Sequence, residues 1–251
     1  ALPRHKPGGP LLRPLGHPPV SGQVRAVIFD LDGVLVSTDA QHFAAWSEIA
    51  RQENVPFSQK DNDRLRGVSR MESLELLLGD RAGAYTPQRK QELAAQKNQR
   101  YQQLIRALSP ADVLPGVTAF LQSLRAAGIR LAVGSSSRNA DTILEKTGLT
   151  GWFDAIVTGN HIQRSKPDPE VYQKAAAALG LLPAQCLVVE DARAGVDAAL
   201  FAGMDVLGVG DAQFYEKSTV VRNNLDGLCW EELARMLSER AGAKRKEPEH
   251  I

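Results

Sequence analysis

Val24-Arg25-Ala26-Val27-Ile28-Phe29-Asp30-Leu31-Asp32-Gly33-Val34-Leu35 is the stretch on which the fold turns. A short apolar run rich in Val and Ile climbs to two aspartates that flank one leucine, and a glycine follows. The apolar part predicts a buried strand, with Gly33 in the turn that ends it. Two carboxylates one residue apart at the end of a central strand are costly to desolvate unless something compensates them. A divalent cation is the usual compensation, and oxygen ligands suit magnesium. A solvated turn after any strand also fits Asp-X-Asp-Gly, so the choice falls to the rest of the chain.

The 251 residues have room for one sizeable domain and a smaller one. Hydrophobic content of 43% and charged content of 24% are those of a soluble globular protein. The net charge of +1 gives no sign of a nucleic-acid partner or of an anionic membrane surface. No apolar run approaches the ~20 residues that span a bilayer, and Pro and Gly interrupt any secretory h-region near the N-terminus. Cys186 and Cys229 lack metal-ligand spacing, and Cys186, in an apolar run, is expected to be a buried free thiol. A cytoplasmic, reducing location is expected, and a monomer.

Residues 1–22 carry Pro3, Pro7, Pro10, Pro14, Pro18 and Pro19 and are expected to form a flexible leader. From 37 to 108 the pattern is helical. Thr38 or Asp39 can cap a helix with Phe43, Trp46, Ile49 and Ala50 at helical spacing, Leu74, Leu77 and Leu78 mark a second that Gly79 ends, and Thr86 to Leu108 is a third. Beyond Pro110 short apolar strands alternate with helices: strands at 129–133, 155–157, 186–189 and 205–209, helices at 117–127, 140–147, 170–179 and 195–202. That rhythm predicts an α/β core, a Rossmann-like doubly wound parallel sheet at 23–36 and 109–238, with an inserted α-helical cap at 37–108. Residues 239–251 are expected to be a charged, disordered tail.

Ligands of such sheets bind off the carboxyl ends of the strands, and four strand-end signals fall there. Asp30 is a candidate nucleophile that would form an aspartyl-phosphate; Asp32 is placed to protonate the leaving oxygen and deprotonate the incoming hydroxyl. Ser135, with Ser136 and Ser137 behind it, offers a hydroxyl and successive N–H groups for a phosphate, or simply a helix N-cap. Lys166, in Ser165-Lys166-Pro167-Asp168-Pro169, sits in a loop stiffened by proline and could neutralise a transferring phosphoryl group, or be a solvated lysine. Glu190-Asp191 ends an apolar strand and, with Asp30 and Asp32, makes a plausible set of oxygen ligands for one magnesium ion (Mg2+).

In order and setting the four signals resemble the haloacid dehalogenase (HAD-type) phosphotransferase superfamily, over essentially Val24 to Val209. The cap residues carry the resemblance further, toward its β-phosphoglucomutase branch. Gly67-Val68-Ser69-Arg70, His42-Phe43-Ala44-Ala45-Trp46, Gln96-Lys97-Asn98 with Tyr101, and Ser135-Ser136-Ser137-Arg138-Asn139 are the matching pieces. The resemblance implies interconversion of β-glucose 1-phosphate and glucose 6-phosphate through β-glucose 1,6-bisphosphate, with a sugar-phosphate phosphatase as the alternative. It implies that Arg70, Ser136 and Asn139 grip the non-transferring phosphate, with Ser137 and Arg138 alongside. Gly67, Val68, Ser69 and Ser73 would face the sugar, Trp46 and Lys97 would line the cap side, and His42 would couple closure to Asp32. Asp32 is expected to lend the metal its backbone carbonyl. One departure stands out: Ser37 occupies the hinge position where the family often has aspartate.

Overall fold

The computed structural model describes residues 24–66 and 68–244, without the side chains of 241–244. The leader read at 1–22, Gly67 and residues 245–251 lie outside the described residues.

Strand β1 (Ala26–Phe29) is wholly buried at the centre of the molecule. It pairs in parallel with β2 (Arg130–Gly134) on one side and β4 (Cys186–Glu190) on the other. With β3 (Ala155–Val157), β5 (Asp205–Gly208) and β6 (Val220–Val221) they form a parallel sheet in the order β3-β2-β1-β4-β5-β6. A parallel sheet covered on both faces needs apolar residues on both, which is why these strands read as continuous runs. Val27, Phe29, Leu131, Val133, Leu187 and Val189 point to the layer of α5 (Val117–Ala126), α6 (Ala140–Lys146) and α9 (Trp230–Lys244). Their neighbours Ala26, Ile28, Ala132 and Val188 point to α7 (Glu170–Ala178) and α8 (Arg193–Phe201). Phe29 lies opposite both Val133 and Val189, so β1, β2 and β4 end level. Asp30, Ser135 and Glu190 therefore arrive at one edge of the sheet.

Between β1 and β2 the chain leaves the sheet and builds α1 (Asp39–Gln52), α2 (Gln59–Asp63), α3 (Arg70–Leu78) and α4 (Pro87–Ile105). Trp46, Ile49, Leu74, Leu77, Leu78 and Leu93 give this helical insertion a core of its own. Thr86 caps α4 by accepting from Arg89 N–H, with Pro87 in the first turn, and Gly79 ends α3 at φ +53°. The far end of α4, through Tyr101 and Ile105, joins the sheet-domain core instead. The two passages of chain between the parts run side by side: Val36 bridges Val113 in antiparallel fashion, and Leu114 N–H donates to Leu35 O at 3.0 Å.

Four details differ from expectation. Helix α9 continues to Lys244, so the segment from Glu239 that was expected to be a disordered tail is in part the end of a helix; Arg235 and Glu239, one turn apart at 3.1 Å, bridge the junction. Helix α2 has no apolar period to announce it and is held by a capping box between Ser58 and Asp61. Strand β6 is too short to show a pattern. Helix α4 stops at Ile105, before Leu108. No described helix is long and apolar enough to cross a membrane.

Candidate active site

At the sheet edge, Lys166 Nζ lies 2.6 Å from Asp30 Oδ1 and 2.6 Å from Glu190 Oε1. Glu190 is 1% exposed and fully engaged. Its Oε1 also accepts from Tyr172 OH at 2.7 Å, and its Oε2 accepts from the N–H groups of Asp191 and Ala192 at 2.9 and 3.0 Å. Gly195 permits this: a Cβ there would fall 1.7 Å from Glu190 Oε1. Glu190 and the Tyr172 ring, 4.7 Å from Nζ, thus anchor Lys166 so that a second of its three N–H bonds reaches Asp30.

Asp30, Glu190 and Asp191 each offer an oxygen within 4.8 Å of the others. Burial pushes the Asp30 carboxyl up to about 7, against the pull of Lys166 and with a further push from Glu190. Burial also drives Asp191 well above the usual carboxylate range, with Glu190 and Asp30 adding to it. Burial opposes the charge on Lys166, yet Asp30 and Glu190 outweigh it and push its pKa up. Three carboxylates, Glu190 buried and Asp30 and Asp191 partly so, against one ammonium leave negative charge that the described residues do not compensate. A hard divalent cation with oxygen ligands fits that donor set. Gly33 (φ +85°) keeps the turn open to it, because a Cβ there would fall 2.0 Å from Asp191 Oδ2.

The Asp32 carboxylate turns elsewhere. Its Oδ1 accepts from Thr38 N–H at 2.7 Å and its Oδ2 from Thr38 Oγ1–H at 2.6 Å. Tyr101 OH in turn donates to Thr38 Oγ1 at 3.0 Å, and His42 Nε2 stands 3.8 Å from Asp32 Oδ2. Thr38 does precede α1, but its hydroxyl makes no cap bond because Asp32 occupies it. Burial raises the Asp32 pKa, and the two bonds from Thr38 pull it part of the way back. Ser135 is 4% exposed and its Oγ accepts from Ser137 N–H at 3.2 Å, while Asn139 holds the N-cap position of α6. Of its two readings the cap is not the one adopted. Ser136 Oγ accepts from Lys166 N–H at 3.4 Å.

The insertion faces this edge with cations. Lys97, 3% exposed, places Nζ 2.7 Å from His42 Nδ1 and over the rings of Trp46 (4.8 Å) and Tyr101 (4.7 Å). Burial, then the Arg70 guanidinium, brings the Lys97 pKa down to about 7. Burial, then Lys97 and Arg70, puts His42 well below the usual histidine range, so neutral His42 can accept from Lys97. Arg70, first in α3, has its pKa lowered by burial and then by the nearby Arg138. Ser69 caps α3 by accepting from Glu72 N–H, and Ser73 Oγ–H donates to Val68 O at 3.5 Å, which ties the segment before α3 to its first turn. Asn139 Nδ2 donates to Asn98 Oδ1 and its Oδ1 accepts from Gln102 Nε2, both at 3.1 Å, while Ser137 Oγ accepts from Asn139 N–H. Trp46 belongs to the core of the insertion.

The site therefore brings together Asp30, Lys166, Glu190 and Asp191 at the sheet edge and His42, Trp46 and Lys97 on the insertion, with Arg70 close to Arg138. Sequence reasoning missed Thr38 as the partner of Asp32, Tyr172 as a partner of Glu190, and Gln102. Thr38 carries a cap-like signal and Tyr101 an apolar-stripe signal, and neither pattern reveals a hydroxyl contact across the fold.

Residues 24–203 match the family model described as haloacid dehalogenase-like hydrolase. The chain is 46% identical over 192 residues to a β-phosphoglucomutase of Bacillus subtilis (strain 168), covering 76% of this chain and 85% of the relative. It is 30% identical over 187 residues to a phosphorylated carbohydrates phosphatase of Thermotoga maritima, covering 72% and 83%. A crystal structure of β-phosphoglucomutase from Clostridium difficile superposes with a TM-score of 0.80 at 32% identity, covering 87% of this chain and 99% of that one. Family model, relatives and superposition agree with the strand-end chemistry: the chain belongs to the haloacid dehalogenase-like hydrolase family, on the branch that includes the Bacillus subtilis enzyme.

Proposed function

We propose that the protein is a magnesium-dependent β-phosphoglucomutase that interconverts β-D-glucose 1-phosphate and D-glucose 6-phosphate. What supports the reading is two cationic groups of different kind, each suited to a phosphate. One is Lys166 beside the Asp30 nucleophile; the other is Arg70 with Arg138, neither guanidinium ion-paired among the described residues. Hydrolysis of a monophosphate needs one phosphate site, whereas a bisphosphate that must return reversed needs two. Likeness to the Bacillus subtilis enzyme supports the same reading.

Asp30, Asp191 and the backbone carbonyl of Asp32 would hold Mg2+, with Glu190 beside them engaged by Lys166. The ion, when bound, screens the nucleophile and the phosphoryl oxygens from one another. Phosphorylated Asp30 first gives its phosphoryl group to a free hydroxyl of the sugar monophosphate: Asp32 takes that hydroxyl's proton, the sugar oxygen bonds phosphorus and the bond from phosphorus to Asp30 Oδ breaks. The product, β-glucose 1,6-bisphosphate, reorients. Asp30 Oδ then attacks the other phosphorus, the bond from phosphorus to the sugar oxygen breaks, and Asp32 returns the proton to that oxygen, which restores the aspartyl-phosphate. Asp32 must leave Thr38 to do this, and its burial-raised pKa favours the protonated acid it needs to be. Lys166, fixed by Glu190, neutralises the transferring group. The insertion acts as the cap: its closure excludes water, so that phosphoryl passes to sugar rather than to solvent.

The test supplies β-glucose 1-phosphate with a trace of the bisphosphate and Mg2+. Formation of glucose 6-phosphate is expected. Stoichiometric inorganic phosphate with no isomer would overturn the reading in favour of a sugar-phosphate phosphatase.

A further inference from the structure

Ser37 is exposed at the hinge, where the resembled family often has aspartate. Asp39, two residues on and first in α1, collects three donors from the other end of a single stretch of the insertion. Gln59 Nε2 lies 2.9 Å from its Oδ2; Asn62 Nδ2 at 3.0 Å and Arg66 Nε at 3.2 Å share its Oδ1. Asn62 is 2% exposed, so its amide has little water to turn to if that bond is lost. Arg66 spreads further, with Nη2 3.4 Å from Asp63 Oδ1 and Nη1 3.7 Å from Asp211 Oδ2, which lies beyond β5 on the sheet domain. Arg66 also opens the short segment that ends in Arg70, and Asp39 adjoins Thr38, whose two donors hold Asp32.

We propose that Asp39 is a positioning residue: through Arg66, next to Leu65 whose O accepts from Val68 N–H at 3.2 Å, it fixes where the start of α3 presents Arg70, and Asp211 steadies Arg66 against the sheet domain. The proposal rests on the reading of Arg70 as a ligand of the non-transferring phosphate. Each degree of freedom frozen on binding costs affinity. An anchor four residues before the guanidinium removes part of that cost before the ligand arrives. The same contacts register the segment to the hinge, so the grip on the distal phosphate and the hold on Asp32 share one base.

Asp39→Asn and Arg66→Gln test this, singly and together. Each single variant is expected to raise KM for β-glucose 1-phosphate about 5- to 20-fold, with kcat within about twofold. The double variant should be no worse than the poorer single one, because both remove one anchor. Phosphorylation of Asp30 by acetyl phosphate, a small donor with no second phosphate, should keep its rate. Asp211→Asn should raise KM about twofold, less at high salt. Wild-type KM in both single variants, additive rises in the double, or an equal loss with acetyl phosphate would each overturn the positioning role. If Asp39→Asn does not fold, Arg66→Gln, at a half-exposed side chain, decides alone. A wild-type protein that leaves β-glucose 1-phosphate unchanged overturns the proposed function instead.

Discussion

The two halves of the cleft solve opposite electrostatic problems. On the sheet side, three carboxylates gather and one lysine pairs with two of them, Glu190 accepts from four donors, and burial pushes Asp30 and Asp191 upward. On the insertion side the excess is cationic: Lys97 is driven down to about 7 and Arg70 is lowered by burial and by Arg138. Asp32, between the halves, is tied to Thr38 at the hinge rather than to Lys97 or Arg70. Under the proposed function a cation would complete the first half and an anion the second. The difference teaches that the two halves suit ligands of opposite charge.

The largest way to break the contrast is Asp30→Asn, which is expected to lower turnover by on the order of 10⁴-fold or more while the fold persists. Turnover at the wild-type rate would remove Asp30 as nucleophile. Next, Mg2+ should raise the unfolding free energy by about 2.7 kcal/mol at a hundred times its Kd, as read by thermal melts. Asp191→Asn should abolish most of that gain and leave the metal-free protein no less stable, since it relieves a crowded buried charge. On the cationic half, Arg70→Ala should weaken the grip on the bisphosphate about 10- to 100-fold with the melting temperature held. An unaltered KM would contradict that role.

A last test sharpens the comparison through pH. Lys97 titrates near 7 when folded and near its ordinary 10.5 when unfolded, because burial and then Arg70 disfavour its charge. Between those values the unfolded chain binds the extra proton, so stability rises with pH across that window, and the cost of the buried charge is in full force below 7. The slope approaches at most about 1.4 kcal/mol per pH unit. Lys97→Met should flatten it in denaturant titrations at pH 7 to 10; an unchanged slope would assign the rise to other groups.

Much of the fold is visible in the chain itself. A strand buried on both faces has no choice but to be apolar throughout, and β1, β2, β4 and β5 each announce themselves that way. Because the strand ends are level, the polar residues that follow them must converge, and Asp30 meets Lys166 across 136 residues for that reason. The contacts that set the state of the cleft are different in kind. Tyr101 to Thr38 spans 63 residues, and Asn139 to Asn98 spans 41, by single hydroxyl or amide bonds that obey no period. Thr38 looks like a helix cap and is one by position only. Glu190 looks like another carboxylate ligand, and only its four donors reveal that it also fixes a lysine. Helix α2, polar throughout, gives no signal to a hydrophobic pattern, yet it carries two of the three residues gathered by Asp39 or leads directly to the third.

The chain leaves the sheet domain after Val36 and returns to it at Val113, and those two residues are bridged to each other. The 76 intervening residues can thus be regarded as a detour whose ends already touch. Its outer part, away from Tyr101 and Ile105 in the sheet-domain core, makes none of the strand pairs, so a change of length there is compatible with the same register. Under the proposed function, most groups that would select the molecule lie on the detour and most that would act on it lie outside, and the two sets are joined at Thr38, which holds Asp32.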